Sequence, residues 1–226
     1  VVLPQLSKHI QSKKISKIHF IQNKALELSL FLTLPASAAL LIASEEIISA
    51  LFGYGSFDQV SAINSGKALY YFALGLPAFS LIKVFSSFFF ANHDTKIPFY
   101  ISLFSVLTNI VISISYFNEI GFIIIPIATT ISSWLNAILL FAFLKNRDLF
   151  SFNNIFLVRF VKIIIASLLM AIFFNFLTTY FKYELAFNQN IKLFYLILSV
   201  ILSLLFYLFV SYWIKAFKTS DIKLKY

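Results

Sequence analysis

The chain has 226 residues, of which 60% are hydrophobic and only 12% are charged, and its mean hydropathy is +0.90. Soluble domains average about 45–50% apolar and about 25% charged residues, so this composition excludes a soluble globular domain and a disordered chain. The absence of cysteine excludes a disulfide-stapled fold. The composition is instead typical of a polytopic helical membrane protein. The meaning of the formal net charge of +9 then depends on where the basic residues lie along the chain.

Six stretches are long and apolar enough to cross a bilayer core of about 30 Å, which takes about 20 helical residues. They predict an all-α fold with spans one to six at residues 25–44, 68–91, 97–117, 120–144, 155–181 and 191–214. Before them, residues 5–24 mix leucine and isoleucine with lysine and serine. This pattern predicts a cytoplasmic amphipathic helix at the membrane interface, or else a solvated connector.

The chain therefore divides into four parts. Residues 1–24 are the end of a preceding helix plus the amphipathic segment, and 25–144 are four transmembrane helices. Residues 145–154 are a cytoplasmic link, and 155–226 are the final two helices and a cytoplasmic tail. Because Val1-Val2-Leu3-Pro4 is typical of the end of an apolar helix, we expect a C-terminal piece of a longer protein.

The basic residues are distributed unevenly between the two sides of the predicted membrane spans. Fourteen of the 18 lie before span one, in the second-to-third and fourth-to-fifth links, or in the tail, whereas Lys67, Lys182 and Lys192 lie on the other side. The positive-inside rule then places both ends in the cytoplasm. The basic excess therefore indicates topology, and we expect no nucleic acid partner. On the outer side, residues 45–66 form the longest link, whose apolar residues predict an extension of span one or a short interfacial helix.

Lys83 lies inside span two, in Leu81-Ile82-Lys83-Val84. A charged side chain at membrane depth is costly and usually faces a cavity or a partner. The functional interpretation is a cation lining a cavity that receives an anionic substrate. The alternatives are snorkelling to the interface or pairing with a carbonyl or an acid.

Spans three and four carry a polar seam, and three spans contain proline. Asn109 and Ser113 lie one helical turn apart, and Thr129 begins a run of polar residues down span four. The seam predicts either oxygen ligands for a monovalent cation or interhelical packing through small polar residues. Pro35, Pro77 and Pro126 fall inside spans one, two and four, where each would kink its helix.

Spans five and six have no interior proline and are predicted to face lipid, either as inert packing or as a surface for a lipid tail. No enzymatic motif accompanies the spans. His9, His19 and His93 show no metal-ligand spacing, and neither a phosphate-binding loop nor a nucleophile elbow occurs. We therefore expect no enzyme, no catalytic residue, no metal site and no cofactor.

Several segments, in order, resemble the MurJ/MviN family of bacterial lipid II flippases. Phe89-Phe90-Ala91-Asn92-His93-Asp94-Thr95-Lys96-Ile97-Pro98 resembles the family's F-Y-A-R-Q-D-T-R-T-P. The other similar segments are residues 2–7 (V-L-P-x-L-S), 34–36 (L-P-A), 51–57 (L-F-x-x-G-x-F), 71–79 with Lys83-Val84, and 135–137. The resemblance covers essentially the whole chain and is most specific over residues 1–136.

The resemblance implies that the six spans are the last six helices of a fourteen-helix exporter of the multidrug/oligosaccharidyl-lipid/polysaccharide superfamily. It implies movement of lipid II from the cytoplasmic to the periplasmic leaflet by alternating access. It also implies a cationic cavity, to which Lys83 is matched. Some members hold sodium at positions that match Asn109 and Thr129, with Ser113 where an acidic ligand would stand.

The last two helices of the family border a groove for the polyprenyl tail. We expect this groove to involve Ile165, Leu169, Phe173, Leu198, Leu202 and Leu205. The expected partners are lipid II and membrane lipids, with a sodium ion as the one coupling-cation candidate, and the expected protein is a monomer of the bacterial inner membrane. Another exporter of the superfamily and a non-transport membrane scaffold remain alternatives.

Overall fold

The computed structural model describes residues 15–216, with side chains from Lys17 onward. Within them the fold is all-α, as predicted, and no strand occurs between residues 15 and 216. The helices are α1 (Ile15–Ile42), α2 (Ser44–Phe52), α3 (Gln59–Ala91), α4 (Lys96–Ile120), α5 (Ile124–Asn146), α6 (Asn154–Tyr180) and α7 (Lys192–Trp213). The predicted preceding helix and the cytoplasmic tail beyond residue 216 lie outside the described residues.

The described residues form two compact units. One comprises the chain up to Thr33 together with Gly75–Val158, and the other comprises Leu34–Leu74 together with the chain from Arg159 onward. Helices α1, α3 and α6 each contribute to both units, whereas α4 and α5 belong wholly to the first and α2 and α7 to the second.

Five continuous helical stretches in the described chain are long and apolar enough to cross a membrane. One of them, Lys96–Asn146, has 51 residues, about 77 Å of helix, which is more than twice the bilayer core. It divides at Gly121, whose φ of 73° and ψ of −155° are essentially restricted to glycine. A short 3-10 turn, Gly121–Ile123, then reverses the chain, so α4 and α5 form an antiparallel hairpin and the six predicted spans are all present.

The start of α1 differs from the sequence prediction. Helix α1 runs through Lys24 without a break, so residues 15–24 are the first turns of the span rather than a separate segment. The buried amide of Gln22 donates to the carbonyl of Leu149 (2.9 Å), and that of Asn23 donates to Ser151 (2.9 Å). These bonds hold the start of α1 against the link between α5 and α6. That link spans residues 147–153, close to the predicted 145–154.

Glu27, near the start of predicted span one, is buried and ion-paired. Its carboxylate lies 2.8 Å from Nζ of Lys24, and both side chains are at least nine-tenths buried. A buried charge is tolerated when it is paired, and the spacing of three residues places both groups on one helix face.

The three prolines differ in their effect. Pro35 and Pro77 lie inside α1 and α3, as predicted. Pro126 is the third residue of α5, where a backbone N–H would have no intrahelical partner, so the predicted kink in span four is wrong. Pro77 leaves the carbonyl of Ala73 without its helical donor, and the hydroxyl of Ser37 on α1 donates to that oxygen at 2.6 Å.

The outer link contains the short helix α2, one of the two predicted alternatives, and α3 begins at Gln59 rather than near residue 68. Helix α2 packs against the first turns of α7 through Ala50, Leu185 and Leu196, which form a small buried cluster. Gly66 on α3 touches the start of α2, since a Cβ there would lie 2.8 Å from the Cα of Glu45.

Candidate functional site

The polar seam predicted on spans three and four lines a cavity of about 260 Å³ in the first unit. Helices α4 and α5 supply all of its polar side chains, because their polar residues recur at helical spacing on the facing sides of the hairpin. The lining residues are Ile82, Ser102, Ser105, Val106, Asn109, Thr129, Ser132, Ser133 and Asn136.

Asn109 is the central bridge of the seam. Its Nδ2 donates to Oγ1 of Thr129 at 3.1 Å and to Oγ of Ser132 at 3.4 Å. Both hydroxyls give their own protons to carbonyls of α5, those of Ile125 and Thr129. The hydroxyl oxygens are therefore acceptors toward Asn109, and the hairpin is joined by a directional network.

Asn136 adds an unpaired acceptor to the same cavity. It is 7% exposed, its Nδ2 makes a long contact of 3.5 Å with Oγ of Ser102, and its Oδ1 has no hydrogen-bond partner in the described part of the chain. Buried acceptors are almost always paired, so an unpaired one in a cavity is where water or a cation would be bound.

Two of the three predicted cation ligands meet, and the third does not. Asn109 and Thr129 are hydrogen-bonded across the hairpin, whereas Ser113 lies outside the cavity with its buried Oγ unpartnered. Ser102 was missed, although its spacing of three and seven residues from Ser105 and Asn109 was visible in the sequence. Among the described residues, all the oxygen ligands that the cavity offers are neutral, so the arrangement suits a monovalent cation better than a divalent one. The ligand assignment stays a prediction.

Lys83 is exposed on α3, next to the cavity-lining Ile82. Among residues 15–216 we find no hydrogen bond or ion pair for it. It lies eight residues before the end of α3, about 12 Å along the helix axis. The pairing alternative therefore finds no support within the described chain, while its role in a substrate cavity stays a prediction.

Helices α6 and α7 each have one buried face and one exposed face. Helix α7 buries Ser199, Ser203 and Tyr207, a stripe of four-residue spacing in which the Ser203 hydroxyl donates to the carbonyl of Ser199 at 2.6 Å. Small residues of this kind let membrane helices approach closely. The opposite faces are apolar and exposed, including residues such as Phe176 and Phe209.

The six predicted tail-groove residues fall into two groups. Ile165, Leu169, Leu202 and Leu205 are exposed and apolar, as a lipid-facing surface requires. Phe173 and Leu198 are half-buried, and the ring of Phe173 stacks on Phe206 of α7 with centroids 4.6 Å apart. Phe173 therefore contributes to packing between α6 and α7 as well as to their surface.

No metal site is found in the described part of the chain. Within residues 15–216, no three histidine, cysteine, aspartate or glutamate side chains come close enough to hold a metal ion. The fold and the described residues thus define a multi-pass helical membrane protein with a polar cavity, an exposed lysine on one of its long apolar helices and two helices with exposed apolar faces.

Comparison with known proteins specifies this class further. The family model of the lipid II flippase MurJ matches residues 1–196. The chain is 38% identical over 171 residues to a probable lipid II flippase MurJ of Rhizobium meliloti, covering 76% of this chain and 32% of that protein. It is 36% identical over 143 residues to the one of Rickettsia prowazekii, covering 63% and 28%. The chain belongs to the MurJ family.

A solved structure agrees with this assignment. A lipid II flippase MurJ in an inward closed conformation matches with a TM-score of 0.72 and 26% identity, over 93% of this chain and 42% of that one. The chain spans about a third of the length of its curated relatives and aligns to their C-terminal part. The resemblance seen in the sequence motifs is confirmed, and it is to a flippase family rather than to a family of enzymes.

Proposed function

We propose that the protein carrying this chain is a flippase that moves lipid II from the cytoplasmic to the outer leaflet of the bacterial inner membrane. Family membership carries the proposal, and Lys83 supports it, since it is exposed inside predicted span two and unpaired among residues 15–216. A cation in the substrate path attracts the diphosphate of an anionic lipid headgroup, whose charge is costly to move through a low-dielectric region.

The mechanism is alternating access without covalent chemistry, so the protein is a transporter and not an enzyme. The headgroup passes a polar cavity to which Lys83 contributes, and the polyprenyl tail follows the exposed apolar faces of α6 and α7. Both ends of the chain are cytoplasmic, as the distribution of lysine and arginine favours. Lipid II and membrane lipids are the partners, no nucleic acid binds, and the working unit is a monomer.

The coupling ion that the polar seam best accommodates is sodium. Asn109, Thr129 and Asn136 place neutral oxygens around the cavity between α4 and α5. Hard monovalent cations bind such oxygens without a carboxylate only weakly, which suits an ion that is bound and released in each transport cycle.

The test is complementation. The native flippase is depleted in the source bacterium, and the full-length gene is expressed from a plasmid while lipid II translocation and viability are measured. Restored translocation is expected. Failure of a well-expressed full-length protein refutes the flippase assignment and favours another exporter activity of the same superfamily or a scaffold.

Lys83→Ala tests the cavity role in the same assay, with Lys67→Ala as the matched control. Lys67 is an exposed lysine on the same helix but lies near its start. We expect Lys83→Ala to lower translocation by at least about tenfold, since a charge-assisted contact is typically worth more than one decade in affinity. Normal translocation at normal expression removes Lys83 from the substrate path.

A further inference from the structure

A second cavity, of about 250 Å³, lies in the second unit at the end of the spans that is predicted to face away from the cytoplasm. It is formed where the start of α2, the first turns of α3 and the link between α6 and α7 meet. The lining residues are Glu45, Glu46, Ser49, Gln59, Ala62, Ile63, Lys182, Leu185, Ala186 and Phe187. It shares no residue with the polar seam of α4 and α5.

The charged groups of this cavity have no partners among the described residues. Glu45, Glu46 and Lys182 make no ion pair or side-chain hydrogen bond within residues 15–216. Two carboxylates and one ammonium leave a net formal charge of −1 in the lining. Glu45 and Glu46 lie in the first turn of α2, where the helix dipole favours them, but the dipole accounts for neither Lys182 nor the cavity.

Ser49 supplies an independent sign of a ligand. Ser49 is one of the lining residues and is 7% exposed, and its buried hydroxyl has no hydrogen-bond partner within residues 15–216. A buried hydroxyl that forgoes a hydrogen bond loses about 1–3 kcal/mol. Occupation of the cavity by a polar group would supply that bond.

The frame around the cavity is tightly fixed. Gly66 of α3 lies against Glu45 so closely that a Cβ would fall 2.7 Å from the Cγ of that glutamate. On the other side, the buried Nζ of Lys192 donates to the carbonyls of Gly53 (2.7 Å) and Phe187 (2.6 Å). The two carboxylates are therefore presented on a preformed scaffold, which lowers the entropic cost of binding.

We propose that this cavity binds a zwitterion in which a primary ammonium group lies next to an anionic group. The ammonium donates to Glu45, Glu46 and Ser49, and the anionic group contacts Lys182. The apolar wall of Ala62, Ile63 and Leu185 accommodates the carbon atoms that join the two charges. At the end of a membrane span, phosphatidylethanolamine presents this headgroup, and a soluble phosphoethanolamine presents the same chemistry. A site of this kind is separate from the flippase activity and does not depend on it.

Native mass spectrometry of the purified full-length protein tests the site. The probes are palmitoyl-oleoyl phosphatidylethanolamine, the matching phosphatidylcholine and free phosphoethanolamine. The variant is Glu45→Gln with Glu46→Gln. The matched control is Asp58→Asn with Glu119→Gln, which removes the same charge from two exposed carboxylates that do not line the cavity.

We expect the double glutamate variant to bind phosphatidylethanolamine about tenfold more weakly, because two charge-assisted hydrogen bonds, each worth roughly a decade in affinity, become neutral bonds of about half that strength. The control should bind as the parent does. Phosphatidylcholine, whose quaternary nitrogen cannot donate, should bind weakly to all variants. Preference for the lipid or for free phosphoethanolamine identifies the source, and either supports the site.

Equal binding of phosphatidylcholine and phosphatidylethanolamine overturns the proposal, as does binding that is insensitive to Glu45 and Glu46. If the double variant does not fold, Lys182→Gln replaces it, since this side chain is exposed. That variant should weaken phosphoethanolamine severalfold and leave ethanolamine, which lacks the phosphate, unchanged. An equal effect on both amines would also refute the site.

Discussion

The hydroxyl of Ser37 on α1 donates, at 2.6 Å, to the carbonyl oxygen of Ala73 on α3. This carbonyl lies four residues before Pro77, which has no N–H to complete the helical bond. In the hydrocarbon core of a bilayer no water can donate a hydrogen bond to an unpaired carbonyl. The bond from a neighbouring helix therefore offsets the energetic cost of the proline. Ser37 is itself buried, and both groups are satisfied by one contact.

Ser37→Ala should therefore destabilise the protein. We expect a loss of about 1–2 kcal/mol in the free energy of unfolding, because the substitution removes the bond and leaves the Ala73 oxygen buried without a donor. The measurement is unfolding in mixed micelles, with Ser56→Ala, an exposed serine, as the control. Adding Pro77→Ala to Ser37→Ala should recover part of the loss, since the helix then pairs its own carbonyl. Additive effects of the two substitutions would contradict the compensation.

Lys192 fixes the outer end of α7 to the glycine-rich link after α2. Its Nζ is buried, donates to the carbonyls of Gly53 and Phe187, and lies 4.6 Å from the ring centroid of Tyr54 and 4.5 Å from that of Phe187. A charged donor shared by two carbonyls and two aromatic rings is a strong tertiary contact.

Lys192→Met should lower the free energy of unfolding by about 2–4 kcal/mol, because two carbonyls lose a charged donor. Lys67→Met, at an exposed lysine, should change it by less than about 0.5 kcal/mol. Gly53→Ala should resemble Lys192→Met, since a Cβ there would collide with the carbonyl oxygen of Ser49 and would lie 2.9 Å from Nζ of Lys192. A neutral result for Lys192→Met, measured by thermal unfolding, would show that the contact contributes nothing to stability.

Hydropathy and charge predicted the spans because both properties are local. Apolar runs of about 20 residues give helices in any tertiary context, whereas the reversal at Gly121 was not predicted, since this glycine lies inside predicted span four. The sequence could not distinguish Lys192 from Lys67, since both follow an outer link and only the fold brings Gly53 to one of them. For the same reason the cavity at Glu45 was not predicted, because Lys182, which also lines it, is distant from Glu45 in the sequence.

The polar seam shows a second limit. Its residues were visible as a pattern, and the hydrogen bond between Asn109 and Thr129 confirms that α4 and α5 meet there. Ser113 has the same spacing from Asn109 that other seam residues have, yet it lies outside the cavity. Helical periodicity predicts which face of α4 carries the polar residues. The point along α4 at which it diverges from α5 depends on packing, which a single sequence does not reveal.

The ion pair between Asp94 and Arg147 closes the open end of the α4–α5 hairpin. Oδ2 of Asp94 lies 2.8 Å from the guanidinium of Arg147, and its Oδ1 accepts from the backbone N–H groups of Lys96 and Ile97. Arg147→Gln should cost less than about 1 kcal/mol, because its side chain is half exposed and screened. Asp94→Ala should cost about 1 kcal/mol more, since it also removes the helix cap. Equal losses in unfolding measurements would contradict a capping role for Asp94.

Sodium dependence of lipid II translocation discriminates between the two interpretations of the polar seam. If the cavity holds sodium, Asn109→Ala in the full-length protein should raise the sodium concentration for half-maximal translocation by about tenfold, the effect of one lost contact of roughly 1.4 kcal/mol. Asn175→Ala, at an exposed asparagine of α6, is the control and should leave that concentration unchanged.

If the seam only packs the hairpin, Asn109→Ala should instead lower stability by about 0.6 kcal/mol, as is typical of interhelical hydrogen bonds, with an unchanged sodium response. Proteoliposomes with and without a sodium gradient, together with unfolding of the same variants, separate these outcomes. Translocation that is insensitive to sodium in the parent protein would rule out the cation site and leave Asn109 as a packing residue.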